Sequence, residues 1–273
     1  ITDKFPELSD AAQKLPNGTV IDGEILPWKD GRPLHFSELQ RRIGRKNVTR
    51  KILESVPVVL MVYDLLEYDG EDIRNNELAE RDLRLANLTA QISDHRIIRS
   101  PKIKAEGWAA LVKFKDDARD RAVEGLMLKR LSSTYRVGRR RGDWWKWKVD
   151  PLTADAVLIY AQRGHGRRSG LYTDYTFAVW HNDKLVPFAK AYSGLNDEEI
   201  RRVDRFIQRN TIERFGPVRS VKPELVFEIA FEDIRKSPRH KSGVAVRFPR
   251  IARWRMDKTI EDADSLETIK ALV

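Results

Sequence analysis

The chain has no cysteine among its 273 residues. A disulfide framework, a thiolate metal site and a thiol nucleophile are therefore excluded. Histidine is scarce: His35, His95, His165, His181 and His240 are scattered without metal-ligand spacing, so each reads as a surface or loop residue. No apolar run approaches the length of a membrane span and no signal peptide is visible, so a soluble cytoplasmic protein with no membrane partner is expected. Charge, in contrast, is plentiful. Lys and Arg number 51 against 41 Asp and Glu, a formal net charge of +10 that favours polyanionic partners without proving nucleic-acid binding. At this length two ordinary cores are a better expectation than one large one.

The first half mixes strands and helices. A short amphipathic helix after Phe5-Pro6 is expected to place Leu8, Ala12 and Leu15 on one side. A strand from Thr19 to Leu26 follows the Pro16-Asn17-Gly18 turn, with Asp22 and Glu24 on one face. The run Val58 to Tyr63 reads as a strand buried on both faces that Asp64 and Asp69-Gly70 close into a turn, with Tyr63 at its end. A helix is expected over 76–91 with Leu78, Leu85 and Leu88 inward, and another over 105–121 with Trp108, Leu111 and Val112 inward. This mixture argues for an α+β domain over 1–150.

Beyond Pro151 short strands and turn signals dominate. Strands are expected at 156–161, 173–180 and 185–191, with a Gly- and Arg-rich loop between the first two. Asn196 caps a helix with Ile200, Val203, Phe206 and Ile207 facing a core. Residues 225–232 alternate, Leu225, Phe227, Ile229 and Phe231 against Val226, Glu228, Ala230 and Glu232, as in a half-buried strand. Asp264, with Glu267 three residues on, is expected to cap a final helix. Few strands, one helix and basic loops point to a small oligonucleotide-binding barrel over 151–273.

Charge on two strands is the strongest chemical signal. In Trp144-Trp145-Lys146-Trp147-Lys148, alternation puts Lys146 and Lys148 on one face and Trp145 and Trp147 on the other. Adjacent like charges repel unless an anion lies between them, and a phosphate answers that need. Glu124 opens a mostly apolar strand, where a carboxylate suits a metal ion or a sugar hydroxyl. Taken one at a time, these are ordinary solvated charges on edge strands; together they point to a nucleotide phosphate site. Tyr63, at a strand end, can finish a core or stack on a flat ligand. Near the C-terminus, Arg247-Phe248-Pro249-Arg250 and Arg253-Trp254-Arg255-Met256-Asp257-Lys258 form either a phosphate-binding segment or an exposed basic one.

The ordered set Asp22-Gly23-Glu24, Tyr63-Asp64-Leu65, Glu124-Gly125-Leu126-Met127-Leu128-Lys129, Lys146-Trp147-Lys148 and Arg255-Met256-Asp257-Lys258 resembles the nucleotidyltransferase motifs of ATP-dependent DNA ligases. Residues 227–231, Ser242-Gly243 and Arg247-Phe248-Pro249-Arg250 are similar to the ligase barrel, and within the ligases the likeness is greatest to the bacterial group named for the cisplatin damage response. The resemblance implies an adenylation domain followed by an oligonucleotide-binding barrel, ATP and Mg²⁺ as cofactors, nicked duplex DNA as partner, a monomer, and a place at the bacterial nucleoid in DNA repair. It implies three steps: a lysine attacks the α-phosphate of ATP, the adenylate passes to the 5′-phosphate of a nick, and the 3′-hydroxyl displaces AMP. By position, Glu24 and Glu124 hold ribose or divalent metal, Tyr63 stacks on adenine, Lys146 and Lys148 stabilise charge on the α-phosphate, and Arg42 joins the nucleotide contacts. Arg255, Asp257 and Lys258 orient the leaving pyrophosphate when the barrel closes over the site. Arg163, Arg167, Arg168, Arg247 and Arg250 are the expected DNA contacts.

One element of the family pattern is missing. Ligases carry a Lys-x-Asp-Gly ahead of the Phe-Pro-Glu-Leu helix, with its lysine as nucleophile, and no Lys-x-Asp-Gly occurs in this chain. Lys29-Asp30-Gly31 lacks the intervening residue and Glu67-Tyr68-Asp69-Gly70 lacks the lysine. The expectation is therefore a ligase core truncated at its N-terminal side and unable to adenylate itself. Two alternatives remain: a DNA-binding module without chemistry, and an RNA-directed nucleotidyltransferase such as a capping enzyme or RNA ligase.

Overall fold

In the computed structural model, which describes residues 2–273, the chain divides into two units, Ile1–Val149 and Asp150–Val273. The first opens with α1 (Pro6–Ala12), whose proline stands in the first turn where no amide donor is needed. Its buried residue is Ala11 rather than Ala12, beside Leu15 of the following turn. β1 (Val20–Lys29) pairs with the short β2 (Arg32–Pro33) and then α2 (Phe36–Ile43) and α3 (Arg50–Ser55) lead into β3 (Val58–Tyr68), which returns antiparallel along β1. β4 (Glu71–Asp72) folds back on the end of β3 through Asp69 and Gly70, both at positive φ. α4 (Leu78–Gln91) lays Leu85 and Leu88 on β3, and β5 (Ile97–Arg99) adds a parallel strand beside it.

β3 does not end where the apolar run ends. It continues five residues past Tyr63, with Asp64 inside the strand and fully buried rather than in a turn. The reason is Arg81 of α4, also fully buried, whose Nε and Nη2 lie 2.8 and 2.9 Å from the two Asp64 oxygens. Its Nη1 donates to the carbonyls of Asn76 (2.5 Å) and Ser133 (3.1 Å), so the pair also ties down the start of α4 and a distant loop. A carboxylate can remain in a strand core when a guanidinium satisfies it in this way.

α5 (Trp108–Asp116) is shorter than the apolar pattern indicates, and Trp108 is 66 % exposed. Instead of entering a core, Trp108 meets the edge of the Trp147 ring at 5.8 Å. Ala122 at positive φ turns the chain into β6 (Gly125–Lys129), which forms an antiparallel ribbon with β7 (Trp144–Lys148).

The second unit is built on β8 (Leu152–Arg163). One edge of it pairs with β9 (Tyr172–His181), which pairs in turn with β10 (Lys184–Ala191). α6 (Asp197–Arg209) follows, with a capping box between Asn196 and Glu199 and with Ile200, Val203 and Ile207 buried. The other edge of β8 is shared by the hairpin β11 (Thr211–Phe215) and β12 (Val218–Val221), and by β13 (Val226–Phe231). A second hairpin, β14 (Asp233–Lys236) and β15 (Val244–Arg247), leads to β16 (Arg250–Trp254), which pairs with β13. Ile251 N–H donates to Ser193 C=O at 2.9 Å, joining β16 to the chain that leaves β10. Gly194 permits this approach, since a Cβ there would lie 1.8 Å from the Ile251 oxygen. β8, β9 and β10, then α6, then β13 and β16 curl round one core as an oligonucleotide-binding barrel, to which the hairpins β11–β12 and β14–β15 are added.

Two expectations change here. β13 is buried on both faces, Val226 and Ala230 included, rather than half-buried. The last helix, α7 (Leu266–Lys270), is capped by Ser265, while Asp264 accepts the Asp155 N–H at 2.8 Å. The aspartate belongs to the barrel wall.

Removing one partner of the Asp64–Arg81 pair leaves a buried unpaired charge, so Asp64→Ala should cost about 3–5 kcal/mol of stability. Urea unfolding should show a lowered midpoint, and an unchanged midpoint would contradict the structural role assigned to the pair.

Candidate functional site

A cluster of aromatic and charged side chains lies in the first unit where β1, β3, β6 and β7 supply neighbouring residues. In the β1–β3 register Asp22 faces Asp64 and Gly23 faces Val62, so Tyr63 is a bulged residue without a partner opposite it. A bulge re-aims the side chain it carries. The Tyr63 hydroxyl donates to Asp22 Oδ1 at 3.2 Å, and the Tyr135 hydroxyl donates to Asp22 Oδ2 at 2.7 Å. Trp144 meets both rings edge-on, with centroids 6.4 Å from Tyr63 and 5.9 Å from Tyr135. The Lys129 ammonium lies 3.9 Å from the Trp144 centroid and 4.3 Å from that of Tyr63. Both contacts are cation–π interactions.

The β6–β7 register places Gly125 opposite Lys148, Met127 opposite Lys146, and Lys129 opposite Trp144. Lys129, Lys146 and Lys148 therefore share one face of the ribbon. Gly125 adopts φ +139°, and a Cβ there would meet the Trp147 oxygen at 2.3 Å, so glycine is required for the two strands to approach. The same closeness lets Glu124 Oε2 reach Lys148 Nζ at 2.7 Å. Burial lowers the pKa of Lys129, partly opposed by the negative charges of Asp64 and Asp22. Burial, then the Asp22 carboxylate, raises the Tyr63 phenol, and the same causes push Tyr135 up to about 12.

Of the nucleotide residues expected from sequence, Tyr63 belongs to this cluster, and Lys146 and Lys148 lie on the same ribbon face as Lys129. Glu24 is exposed on β1, two residues from Asp22 and on its side of the strand. Glu124 is engaged by Lys148. Arg42 is placed otherwise: it is 0 % exposed, and Nε, Nη1 and Nη2 donate to Lys4 C=O (2.7 Å), Val56 C=O (3.0 Å) and Glu7 Oε2 (2.5 Å). Each of its three nitrogens is bonded and the side chain is fully buried with Phe5 beneath it at 4.9 Å, so Arg42 ties α1 to α2 rather than facing a nucleotide. Among the described residues no group of three acidic or imidazole side chains converges as a metal cage.

Sequence reasoning passed over Asp22, Lys129, Tyr135 and Trp144 as site residues. Lys129 was accessible by parity, since it falls on the Met127 side of β6. Tyr135 had no local signal; its place depends on Tyr135 N–H bonding Arg74 C=O at 2.8 Å and on Arg81 beneath its ring at 5.9 Å.

In the second unit Arg255, Asp257 and Lys258 form one network with Asp155 of β8. Arg255 Nη1 lies 2.8 and 3.1 Å from the Asp155 oxygens, while its Nε and Nη2 bond Asp257 at 3.0 and 2.8 Å. Lys258 Nζ is 2.6 Å from Asp155 Oδ2. The Arg255 guanidinium holds the Asp257 carboxyl down to about 2. Of the arginines expected at DNA, Arg163 covers the Tyr172 ring at 5.5 Å, Arg167 and Arg168 lie in the exposed 3₁₀ turn after β8, and Arg168 pairs with Asp197 at 3.0 Å. Arg247 lies over Phe248 at 4.8 Å, and Arg250 pairs with Glu232 at 2.8 Å.

The fold holds the Tyr135 proton more tightly than a free tyrosine, whose pKa is 10.0, so its contribution to stability is complete below pH 10 and is lost as pH rises through about 12. Tyr135→Phe should flatten the alkaline fall in the unfolding midpoint over that interval. A wild-type slope retained in the variant would contradict the shared hydrogen bond with Asp22.

Comparison with known proteins agrees with both units. Residues 1–148 match the ATP dependent DNA ligase domain, and residues 168–258 match the ATP dependent DNA ligase C terminal region. A probable DNA ligase of Koribacter versatilis is 40 % identical over 288 residues, covering 98 % of this chain and 50 % of that protein. A DNA ligase of Natronomonas pharaonis is 36 % identical over 274 residues, covering 100 % of this chain and 49 % of its own. The chain thus spans about half the length of these relatives. Among solved structures, the ligase titled Pmar-Lig matches with a TM-score of 0.67 at 17 % identity, covering 92 % of this chain and 55 % of that one. A Lig E DNA ligase matches at 0.63 and 18 % identity, covering 90 % and 80 %, and these two likenesses show a shared fold. With residues 1–148 matched to the ligase domain and residues 168–258 to the C-terminal region, the chain belongs to the ATP-dependent DNA ligase family.

Proposed function

We propose that these residues form the adenine-nucleotide pocket and DNA-gripping barrel of an enzyme that seals nicks in duplex DNA with ATP, acting in repair. The observation that carries this reading is the common ribbon face of Lys129, Lys146 and Lys148 beside the half-buried ring of Tyr63. Tyr63 offers a flat surface for adenine, held in plane by its bond to Asp22. Lys146 and Lys148 supply fixed cations where charge develops on the α-phosphate. Glu24 and Glu124 hold the ribose or the magnesium ion, which when bound to ATP draws charge from its phosphates. Lys148 gives one of its three N–H donors to Glu124, which leaves donors for a phosphate oxygen while that contact persists. Arg255 and Lys258 act on the pyrophosphate, and Arg163, Arg167, Arg168, Arg247 and Arg250 grip DNA phosphates. The attacking lysine is not among these residues, because they contain no Lys-x-Asp-Gly.

Two measurements test this. Incubation with labelled ATP and Mg²⁺ should leave the 273-residue polypeptide unlabelled, and a covalent adenylate on it would overturn that part of the reading. On a nick already adenylated at its 5′-phosphate, the chain should seal and release AMP, with Lys146→Ala slower by about 100-fold. Tight DNA binding without any sealing would favour a binding module, and tighter binding of guanine than adenine nucleotides would favour an RNA-directed nucleotidyltransferase.

A further inference from the structure

Among the described residues, Asp155 is an acidic side chain that touches both cations of the Arg255–Lys258 segment. It is nearly buried, 12 % exposed, and its backbone is held on both sides: its N–H donates to Asp264 Oδ2 and its C=O accepts the Asp264 N–H, each at 2.8 Å. The backbone that carries this carboxylate is thus fixed to the barrel wall. Arg255 Nη1 and Lys258 Nζ both reach its Oδ2, at 2.8 and 2.6 Å. Two positive nitrogens bonded to the same oxygen repel one another, and at 13 % and 29 % side-chain exposure water screens that repulsion poorly. The negative oxygen between them is what allows them to stand side by side.

We propose that Asp155 is a positioning residue, which gathers Arg255 and Lys258 into a paired cation site for the β- and γ-phosphates of ATP. This rests on the reading of those two residues given above and goes beyond it. The alternative role for a carboxylate in this place is a latch that imitates phosphate and must let go before ATP can bind. Donor accounting favours positioning. Lys258 has three N–H donors and gives one to Asp155; Arg255 has five, and its bonds to Asp155 and Asp257 leave a hydrogen on Nη2 unclaimed. Both cations can therefore take a phosphate oxygen while Asp155 keeps hold of them. Counting Asp257, the four groups are electrically neutral, so the site gains its attraction from geometry rather than from excess charge.

The two roles predict opposite signs. AMP lacks the phosphates in question, so the ratio of ATP to AMP affinity, measured by titration calorimetry on the whole chain with Mg²⁺, isolates the effect from general damage to the fold. If Asp155 positions the cations, Asp155→Asn should lower that ratio by about tenfold, the range of a lost charge-assisted contact, and Asp155→Glu should restore part of it. In a background of Arg255→Gln with Lys258→Gln, adding Asp155→Asn should change the ratio no further. An increased or unaltered ratio in Asp155→Asn would overturn the proposal, as would an equal loss in the doubly substituted background. Should Asp155→Asn fail to fold, Asp155→Glu decides by itself, because a longer acid must shift the cations and depress the ratio less than Arg255→Gln with Lys258→Gln does; a ratio no different from wild type would count against positioning. A wild-type chain without preference for ATP over AMP would remove the underlying reading of Arg255 and Lys258, which separates its failure from that of Asp155 alone.

Discussion

Two aspartates face each other across the first pair of strands, and the first unit is organised by how each is neutralised. Asp22 and Asp64 are partners in the β1–β3 register, a placement in which like charges repel. Asp64 is resolved by Arg81 within the core, and Asp22 by two phenolic hydroxyls toward the candidate pocket. The bulge at Tyr63 makes this division possible, because it turns that ring toward Asp22. Gly23 belongs to the same arrangement: a Cβ there would stand 2.6 Å from the Met61 oxygen, too close for the strands to pair. From these few contacts follow the placing of α4 through Arg81, of the loop at Ser133 through its carbonyl, and of Tyr135 through its hydroxyl.

Lys129 and the cations of the barrel are partnered differently, and the difference bears on their chemistry. Lys129, unlike Lys148 on the same ribbon face, is set against aromatic faces with carboxylates only at a distance, and burial there lowers its pKa. A cation held by ring faces keeps its hydrogen-bond donors largely uncommitted. In the barrel, Arg255, Lys258, Arg250 and Arg168 each bond a carboxylate directly. Such pairs fix direction, and they leave a phosphate to compete with or add to an acid already in place.

The α+β character of the first half and the barrel of the second were legible in pattern, since α4 and α6 bury Leu78, Leu85, Leu88, Ile200, Val203 and Ile207 as their spacing assigns, and β9 and β10 form close to where the turn signals put them. The lysine parity in β7 was legible for the same reason. What failed were residues whose environment is set by distant partners. Asp64 reads as a turn former until Arg81 is placed beside it; Arg42 reads as a nucleotide contact until Lys4, Val56 and Glu7 surround it. Trp108 reads as core because helical periodicity cannot tell which apolar face will find a partner. The Asp155 network crosses about a hundred residues of sequence, and no local pattern announces it.

Glu124 shows how one backbone choice can link structure to chemistry. Because Gly125 carries no Cβ, β6 approaches β7 closely enough for Val149 N–H to bond the Glu124 carbonyl at 3.1 Å while the Glu124 side chain meets Lys148. The acid and the base are thus held by adjacent backbone, and neither can be displaced far without breaking the ribbon. With its charge balanced by Glu124, Lys148 can remain beside Lys146 on one face in the absence of phosphate.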